Sequence, residues 1–199
     1  MERTSAVKAS DVISKGGVIA FRTDTFYGLG ADPFSRDAVA RVRELKGREE
    51  NKPILLLVSD REQVERLITT PSETFERVAE KFWPGPLTIV GAAIAGLPEA
   101  ITSGTGTVGV RLPAAEQVRE LVRECGGVLT ATSANPSGRE PARTAREVAE
   151  YFPNGLDLIV DGGAVTVTQP STVLDVLTFP LRVVREGAIP RSVIEQLFA

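Results

Sequence analysis

Residues 18–59 read V-I-A-F-R-T-D-T-F-Y-G-L-G-A-D-P-F-S-R-D-A-V-A-R-V-R-E-L-K-G-R-E-E-N-K-P-I-L-L-L-V-S. The order predicted is strand, polar loop, helix, basic turn, strand. Val18 to Phe21 is a short apolar run behind Gly16-Gly17, as in a buried strand. Arg22–Asp32 reads as a polar loop. Ser35 is placed to cap a helix whose apolar positions Val39, Val42 and Leu45 share one face. Gly47 falls where a helix ends in a residue of positive φ. Lys46–Lys52 reads as a second polar loop. Ile54–Val58 is apolar throughout, which predicts a strand covered on both faces. Loops at the ends of buried strands are where α/β proteins place their chemistry.

Working outward, residues 5–15 predict a short helix. Asp60 predicts a capped helix through Ile68. Thr70-Pro71-Ser72-Glu73 reads as a capping box with Pro at the first helical position, opening a helix through Phe82. Trp83-Pro84-Gly85-Pro86 breaks it, with Trp83 buried in a rigid turn. A strand Leu87–Gly91, a loop over 93–107 and a strand Val108–Leu112 follow. Gly104 to Gly109 formally matches G-x-G-x-x-G, but a strand follows it, whereas the dinucleotide fingerprint opens a helix. A helix Ala115–Glu124 ends at Gly126-Gly127, with Cys125 as a buried small residue near its end. Then come a strand Val128–Thr132, a polar loop Thr132–Pro141 and a helix opened by a capping box at Thr144 and Glu147 that runs to Tyr151. Strands at Leu156–Val160, Ser171–Val176 and Leu181–Arg185 precede a last helix from Pro190 to Phe198. The last three strands lack long helices between them. The expectation is α/β: a single domain over 1–199, with a twisted mixed β-sheet flanked by helices.

Composition narrows the chemistry. Of 199 residues, 42% are hydrophobic, which is enough for a core, and the formal net charge is −3. No apolar run reaches the roughly 18 residues of a membrane span, and the N-terminus has no signal-peptide stretch. One Cys excludes an intrachain disulfide, and these features together predict a cytoplasmic protein. The chain contains no His, so Ser-His-Asp and Cys-His catalysis and His-based zinc sites are excluded. Carboxylates, Lys, Arg, hydroxyls, backbone groups or a hard metal such as Mg²⁺ remain. Arg36, Arg41, Arg43, Lys46 and Arg48 face only Asp37 and Glu44 within residues 36–48. A basic focus in an acidic chain suits a small anionic ligand, although Arg36, Arg41, Arg43 and Arg146 read equally well as solvated helix faces.

R-T-D-T-F-Y-G-L-G-A-D followed by K-G-R resembles the signature of the YrdC-like family, the threonylcarbamoyl-AMP synthases. F-W-P-G-P-L-T at 82–88, V-G-V-R-L-P at 108–113, T-S-A-N-P-S-G at 132–138 and P-S-T-V-L-D at 170–175 extend the resemblance in family order. Each motif alone is weak, and the ordered set is specific. The resemblance implies a nucleotidyltransferase that joins L-threonine, bicarbonate and ATP into threonylcarbamoyl-AMP, releasing pyrophosphate, for threonylcarbamoyladenosine modification of tRNA. It implies Mg²⁺ with the ATP, and partner proteins that use the product.

There is no G-x-x-x-x-G-K-[ST] P-loop, so the polyphosphate needs another cradle of cations, hydroxyls and backbone N–H groups. Lys46 offers a mobile point charge and Arg48 a planar fork for phosphate oxygens, and both are the expected catalytic cations. By resemblance, Lys46, Arg48 and Lys52 line the phosphate side, with Ser133, Asn135, Arg143, Arg185 and, more weakly, Thr107 on the ATP. Ser133 and Asn135 also read as a turn satisfying its own backbone. Arg111 suits the threonine carboxylate, Thr25 and Ser171 match amino-acid contacts of the family, and Tyr27 walls the pocket. Thr25 reads alternatively as a turn-forming hydroxyl and Arg111 as an edge ion pair. No metal ligand is assigned.

Many relatives carry His where this chain has Leu57, at a position expected to hydrogen-bond threonine; another branch carries an apolar residue there. The chain ends at Ala199, and so resembles the short form of the family, without the lid that a further C-terminal domain supplies. Two alternatives to the main reading are a module binding double-stranded RNA and a relative that forms a different carbamoyl adenylate.

Overall fold

The computed structural model of the protein describes residues 8–47, 52–167 and 169–198. Helix α1 (Ala9–Ser14) is shorter than expected, and the start of the predicted segment lies outside the described residues. Strand β1 (Ile19–Arg22) turns back at Thr23–Phe26, and β2 (Tyr27–Gly30) runs antiparallel to it, pairing Ile19 with Gly30 and Arg22 with Tyr27. The expected loop over 22–32 is therefore largely a buried hairpin. Its second strand escapes a propensity reading because two of its four residues are glycine.

The next unit follows the prediction closely. Helix α2 (Arg36–Lys46) starts where Ser35 Oγ accepts from the Ala38 amide at 3.3 Å. It ends at Gly47 with φ +56°, a left-handed conformation that glycine adopts without steric cost. Strand β3 (Leu56–Val58) is buried throughout. Asp60 caps a 3-10 helix over Arg61–Arg66, not an α-helix. Helix α3 (Glu73–Phe82) is capped by Ser72, whose Oγ accepts from the Phe75 amide, so Pro71 precedes the cap and Thr70 lies outside it.

Strand β4 (Leu87–Ala92) follows the turn at Trp83, whose buried indole N–H donates to Leu87 O at 2.7 Å. The expected loop over 93–107 contains a one-turn helix, α4 (Glu99–Thr102), before β5 (Thr107–Arg111). Helix α5 (Glu116–Glu124), strands β6 (Val128–Thr130) and β7 (Thr132–Ser133), and helix α6 (Ala145–Tyr151) come next, the last opened by the Thr144–Glu147 capping box. Strands β8 (Leu158–Val160), β9 (Thr172–Asp175) and β10 (Arg182–Arg185) and helix α7 (Arg191–Glu195) complete the order.

The mixed α/β class holds, but the strands form two sheets where the sequence predicts one. The smaller has the order β7-β2-β1-β8 and the larger β10-β9-β4-β5-β3-β6, and each mixes parallel and antiparallel pairs. The predicted strand 128–132 is where they divide. Thr130 pairs with Leu56 of β3, whereas Thr132 pairs with Leu29 of β2. At the crossing, the Thr130 amide donates to Ala31 O at 3.0 Å and the Ala131 amide to Leu55 O at 2.8 Å. Thr130 Oγ1 accepts from the Ala31 amide and donates to Leu29 O, so the buried hydroxyl is fully used.

Alternation along the strands supplies two apolar clusters. Val18, Ala20 and Leu29 join Leu56, Val58, Ile89 and Val110 in one cluster that spans both sheets. Ile19, Phe21, Leu57 and Leu129 face the other way, onto Ile13 of α1 and Val118 and Val122 of α5. Each Val, Leu, Ile or Phe among them contributes about 1.5–3 kcal/mol by leaving water.

Candidate active site

One face of the larger sheet is the floor of a cleft of about 890 Å³. The floor follows the two-residue period of its strands: Thr88 and Val90 from β4, Thr107, Gly109 and Arg111 from β5, Val173 and Asp175 from β9 with Ser171 just before it. Gly109 leaves the middle low, since a Cβ there would press on Thr88 Cγ2 at 3.0 Å. The walls come from the Thr23–Phe26 turn with Tyr27 and Gly28, from Pro53–Leu55, and from Ala131–Ser133. A smaller cleft of about 480 Å³, lined in part by Arg22, Gln117 and Glu120, holds none of the predicted site residues.

At one end, Lys46 closes α2 and is 5% exposed. Its Nζ donates to Ser133 O at 2.7 Å, Ser133 Oγ at 3.3 Å and Asn135 Oδ1 at 2.8 Å. A buried ammonium needs such acceptors. Lys46 O in turn accepts from the Ser137 amide at 2.8 Å, which ties the loop after β7 to the end of the helix. Ser133 lines the cleft, while Asn135 stands behind it and also donates to Pro136 O. The structure thus brings Lys46, Ser133 and Asn135 together. Arg48 lies outside the described residues. Lys52 is exposed and does not line the cleft, although its neighbour Pro53 does. Thr107 lines the cleft with its Oγ1 2.8 Å from that of Thr105. Arg143 stands behind Phe26, its guanidinium 6.0 Å from the ring centroid, and does not reach the lining.

At the other end, Ser171 Oγ lies 3.0 Å from Thr88 Oγ1 and accepts from Arg185 Nη2 at 3.1 Å. Arg185 also donates to Ser171 O from Nε and Nη2. The sequence places Arg185 with the nucleotide residues; the fold sets it against Ser171, beside the residues expected to hold the amino acid. Burial, and then the charge of nearby Arg111, hold the Arg185 pKa below its ordinary value. Among the described residues no carboxylate pairs with Arg185. Arg111 is 2% exposed and its Nη1 donates to Asp24 Oδ1 at 2.5 Å, so the ion-pair reading of Arg111 applies. Asp175, also in the floor, pairs with Arg182 at 2.9 Å.

The turn above carries Thr25, whose Oγ1 is 3.1 Å from Thr23 Oγ1. Thr23 Oγ1 donates to Phe26 O and accepts from the Thr25 and Phe26 amides. Thr25 therefore helps shape the turn and lines the cleft as well. The Tyr27 ring walls the cleft while its hydroxyl points away, donating to Gly163 O at 2.9 Å and accepting from the Gly162 amide. Burial raises the pKa of this phenol, against the lowering effect of the Gly162 N–H. Leu57 is not in the lining. It is fully buried in the cluster with Phe21, Val118, Val122 and Leu129, on the opposite face of β3 from Leu56 and Val58. It therefore does not reach the cleft, although many relatives carry at this position a histidine expected to hydrogen-bond threonine.

Several residues of the site were absent from the sequence reading. Thr88 in the lining and Asp24, which pairs with Arg111 of the floor, are the clearest. Thr88 breaks an apolar strand in alternation with Val90, and Asp24 sits between two threonines. Both signals are local, but their partners Ser171 and Arg111 lie 83 and 87 positions away. The basic helix residues have structural partners: Arg41 pairs with Asp157, Arg43 donates to Ala100 O and Ser103 Oγ, and Arg146 pairs with Glu150.

A family model described as "Telomere recombination", covering Sua5, YciO and YrdC proteins, matches residues 11–187. The threonylcarbamoyl-AMP synthase of Pyrococcus abyssi is 38% identical over 189 residues, covering 95% of this chain and 56% of that protein. That of Halorhodospira halophila is 38% identical over 168 residues, covering 84% of this chain and 87% of its own length. Among solved structures, P. abyssi Sua5 complexed with L-threonine matches with a TM-score of 0.91 at 38% identity, over 95% of this chain and 56% of that one. Escherichia coli YciO matches in fold with a TM-score of 0.84 at 24% identity, over 94% of this chain and 90% of that one. The chain thus spans just over half the length of the Pyrococcus protein and most of the length of the Halorhodospira one.

Proposed function

This chain belongs to the Sua5/YciO/YrdC family, and from that premise we propose that it forms threonylcarbamoyl-AMP and pyrophosphate from L-threonine, bicarbonate and ATP. The observation that carries this reading is that a single cleft joins two differently equipped ends. One holds Ser171, Thr88, Arg111 and Arg185, with Thr25 above. The other holds Ser133, backed by Lys46 and Asn135. An amino acid of threonine's size fits the first, and a nucleotide phosphate chain suits the second. Likeness to a Sua5 solved with L-threonine supports the assignment of the amino acid.

The neutral amine of threonine takes up CO₂ derived from bicarbonate and becomes a carbamate, and the proton it loses leaves as water with the hydroxide that the bicarbonate gives up. A carbamate oxygen then attacks the α-phosphorus of ATP, a P–O bond forms, and pyrophosphate leaves with the electron pair of the broken one. The first step needs orientation and a dry cleft; the second needs positive charge placed where negative charge develops on the leaving group. Lys46 backs Ser133 on that side, and Arg48, two positions on in the sequence, is the second cation we assign to the phosphates. Mg²⁺ enters as part of the MgATP substrate; among the described residues no group of three carboxylates or Cys stands ready to hold it. No general base is required, because the carbamate is already anionic. The product implies a second reaction that transfers its threonylcarbamoyl group to adenosine in tRNA.

Pyrophosphate release from ATP tests the reading. It should require both bicarbonate and L-threonine. ATP turnover indifferent to the amino acid would overturn it. The RNA-binding alternative is not favoured, since Arg43, of the basic helix α2, is engaged with Ala100 and Ser103.

A further inference from the structure

Arg111 carries a hydrogen-bond donor that nothing around it uses. Its guanidinium is 2% exposed, yet Nε is buried without a partner among the described residues. Leaving such a donor unpaired is costly, and the cost is tolerated where a ligand supplies the missing acceptor. The other end of the guanidinium is committed, because Nη1 donates to Asp24 Oδ1 at 2.5 Å. Asp24 is itself held twice. Its Oδ2 accepts from the Ala114 amide at 3.1 Å, and it sits in the turn pinned by Thr23 and Thr25.

A guanidinium presents donors along more than one edge. With Asp24 on Nη1, the edge carrying Nε is left for a second acceptor. Charge agrees with this. Arg111 and Arg185 bring two positive charges to this end of the cleft and Asp24 removes one, leaving a single positive charge for one incoming carboxylate. Ser171 and Thr88 supply hydroxyls beside it.

We propose that Asp24 is a positioning residue: it fixes the Arg111 guanidinium so that the Nε edge meets the carboxylate of the amino-acid substrate. This rests on the function proposed above. Asp24 touches no substrate in this scheme and acts through Arg111.

The test compares Asp24→Asn with wild type in pyrophosphate release. The KM for L-threonine should rise about 10-fold or more, while the KM for ATP and kcat at saturating threonine change less than about 3-fold. In an Arg111→Ala background, Asp24→Asn should add no further change in threonine KM. A purely structural tie to Ala114 would instead shift both KM values together or add fully to Arg111→Ala, and either result overturns the proposal. A readout free of turnover separates this from failure of the proposed function. In protein labelled with ¹⁵N-arginine, the Arg111 Nε–H signal, assigned by its loss in Arg111→Ala, should shift downfield on adding L-threonine or, if the enzyme shows no amino-acid-dependent turnover, sodium acetate as a bare carboxylate. An unmoved signal in wild type overturns the inference, and that arm stands even if Asp24→Asn does not fold.

Discussion

Lys46 and Arg48 lie two residues apart and should respond differently to truncation. Lys46 is buried and its Nζ serves Ser133 and Asn135, so Lys46→Ala strips acceptors of their partner and should cost roughly 1–3 kcal/mol of stability as well as activity. Arg48→Ala should lower turnover about 100-fold, the equivalent of one charge-assisted contact, with the melting temperature nearly unchanged. Calorimetric melting beside a pyrophosphate assay separates the two; normal turnover in Arg48→Ala would remove that residue from the phosphate cradle. Leu57→His tests the position where many relatives carry a histidine. Leu57 is fully buried in the apolar cluster with Phe21 and Val122, so an imidazole there should cost about 1–3 kcal/mol unpaired and leave threonine binding unchanged. Burial depresses the pKa of such a histidine. Below about pH 6.5 the unfolded chain then binds more protons than the folded one, so the destabilisation should grow as the pH falls. Urea melts at pH 5.5 and 7.5 would show it; a tighter threonine KM would mean that the side chain reaches the cleft after all. Motif residues such as Thr25, Ser133 and Ser171 were legible because each sits in a local pattern. The Asp24–Arg111 pair was not, because the link spans 87 positions and only the fold closes it.

At the scale of elements, legibility follows how local the deciding contact is. The caps at Ser35 and Thr144 satisfy amides three residues ahead, and both helices start where the sequence places them. The hairpin at β2 was hidden by its glycines, yet those glycines are what lets it pack. A Cβ on Gly30 would lie 2.7 Å from Phe21 Cε1 and 3.2 Å from Ile19 Cγ1, with Phe21 locked in the core. Gly30→Ala should therefore destabilise the protein by about 1–3 kcal/mol through overpacking, despite the gain that alanine normally brings in a strand. Chemical denaturation would measure it, and an unchanged midpoint would mean that the Phe21 ring shifts freely. The division of residues 128–132 between two sheets was illegible for the opposite reason. Every residue in that run suits a strand, and the break at Ala131 is imposed by partners from β2 and β3.

For the whole molecule, the cleft has a mixed lining in which Val90 and Val173 stand among hydroxyls and charges, and on the proposed function these valines are the contacts for the threonine methyl. Apolar contact with one methyl supplies only about 10–200-fold discrimination, so serine should be a poor but measurable substrate. Parallel kcat/KM measurements for the two amino acids would check this, and equal values would remove the methyl contact. The same cleft also bears on how the chain acquires its activity with time. Its walls belong to both sheets, and the stitch between them at Thr130 reaches back 99 positions to Ala31. Its floor needs β9 and Ser171, which are made later still. Contacts of such long span form slowly, because the loop must close before it is rewarded. The end of the cleft proposed for the amino acid therefore stays incomplete until the last third of the polypeptide, which carries Ser171 and Arg185, has been made.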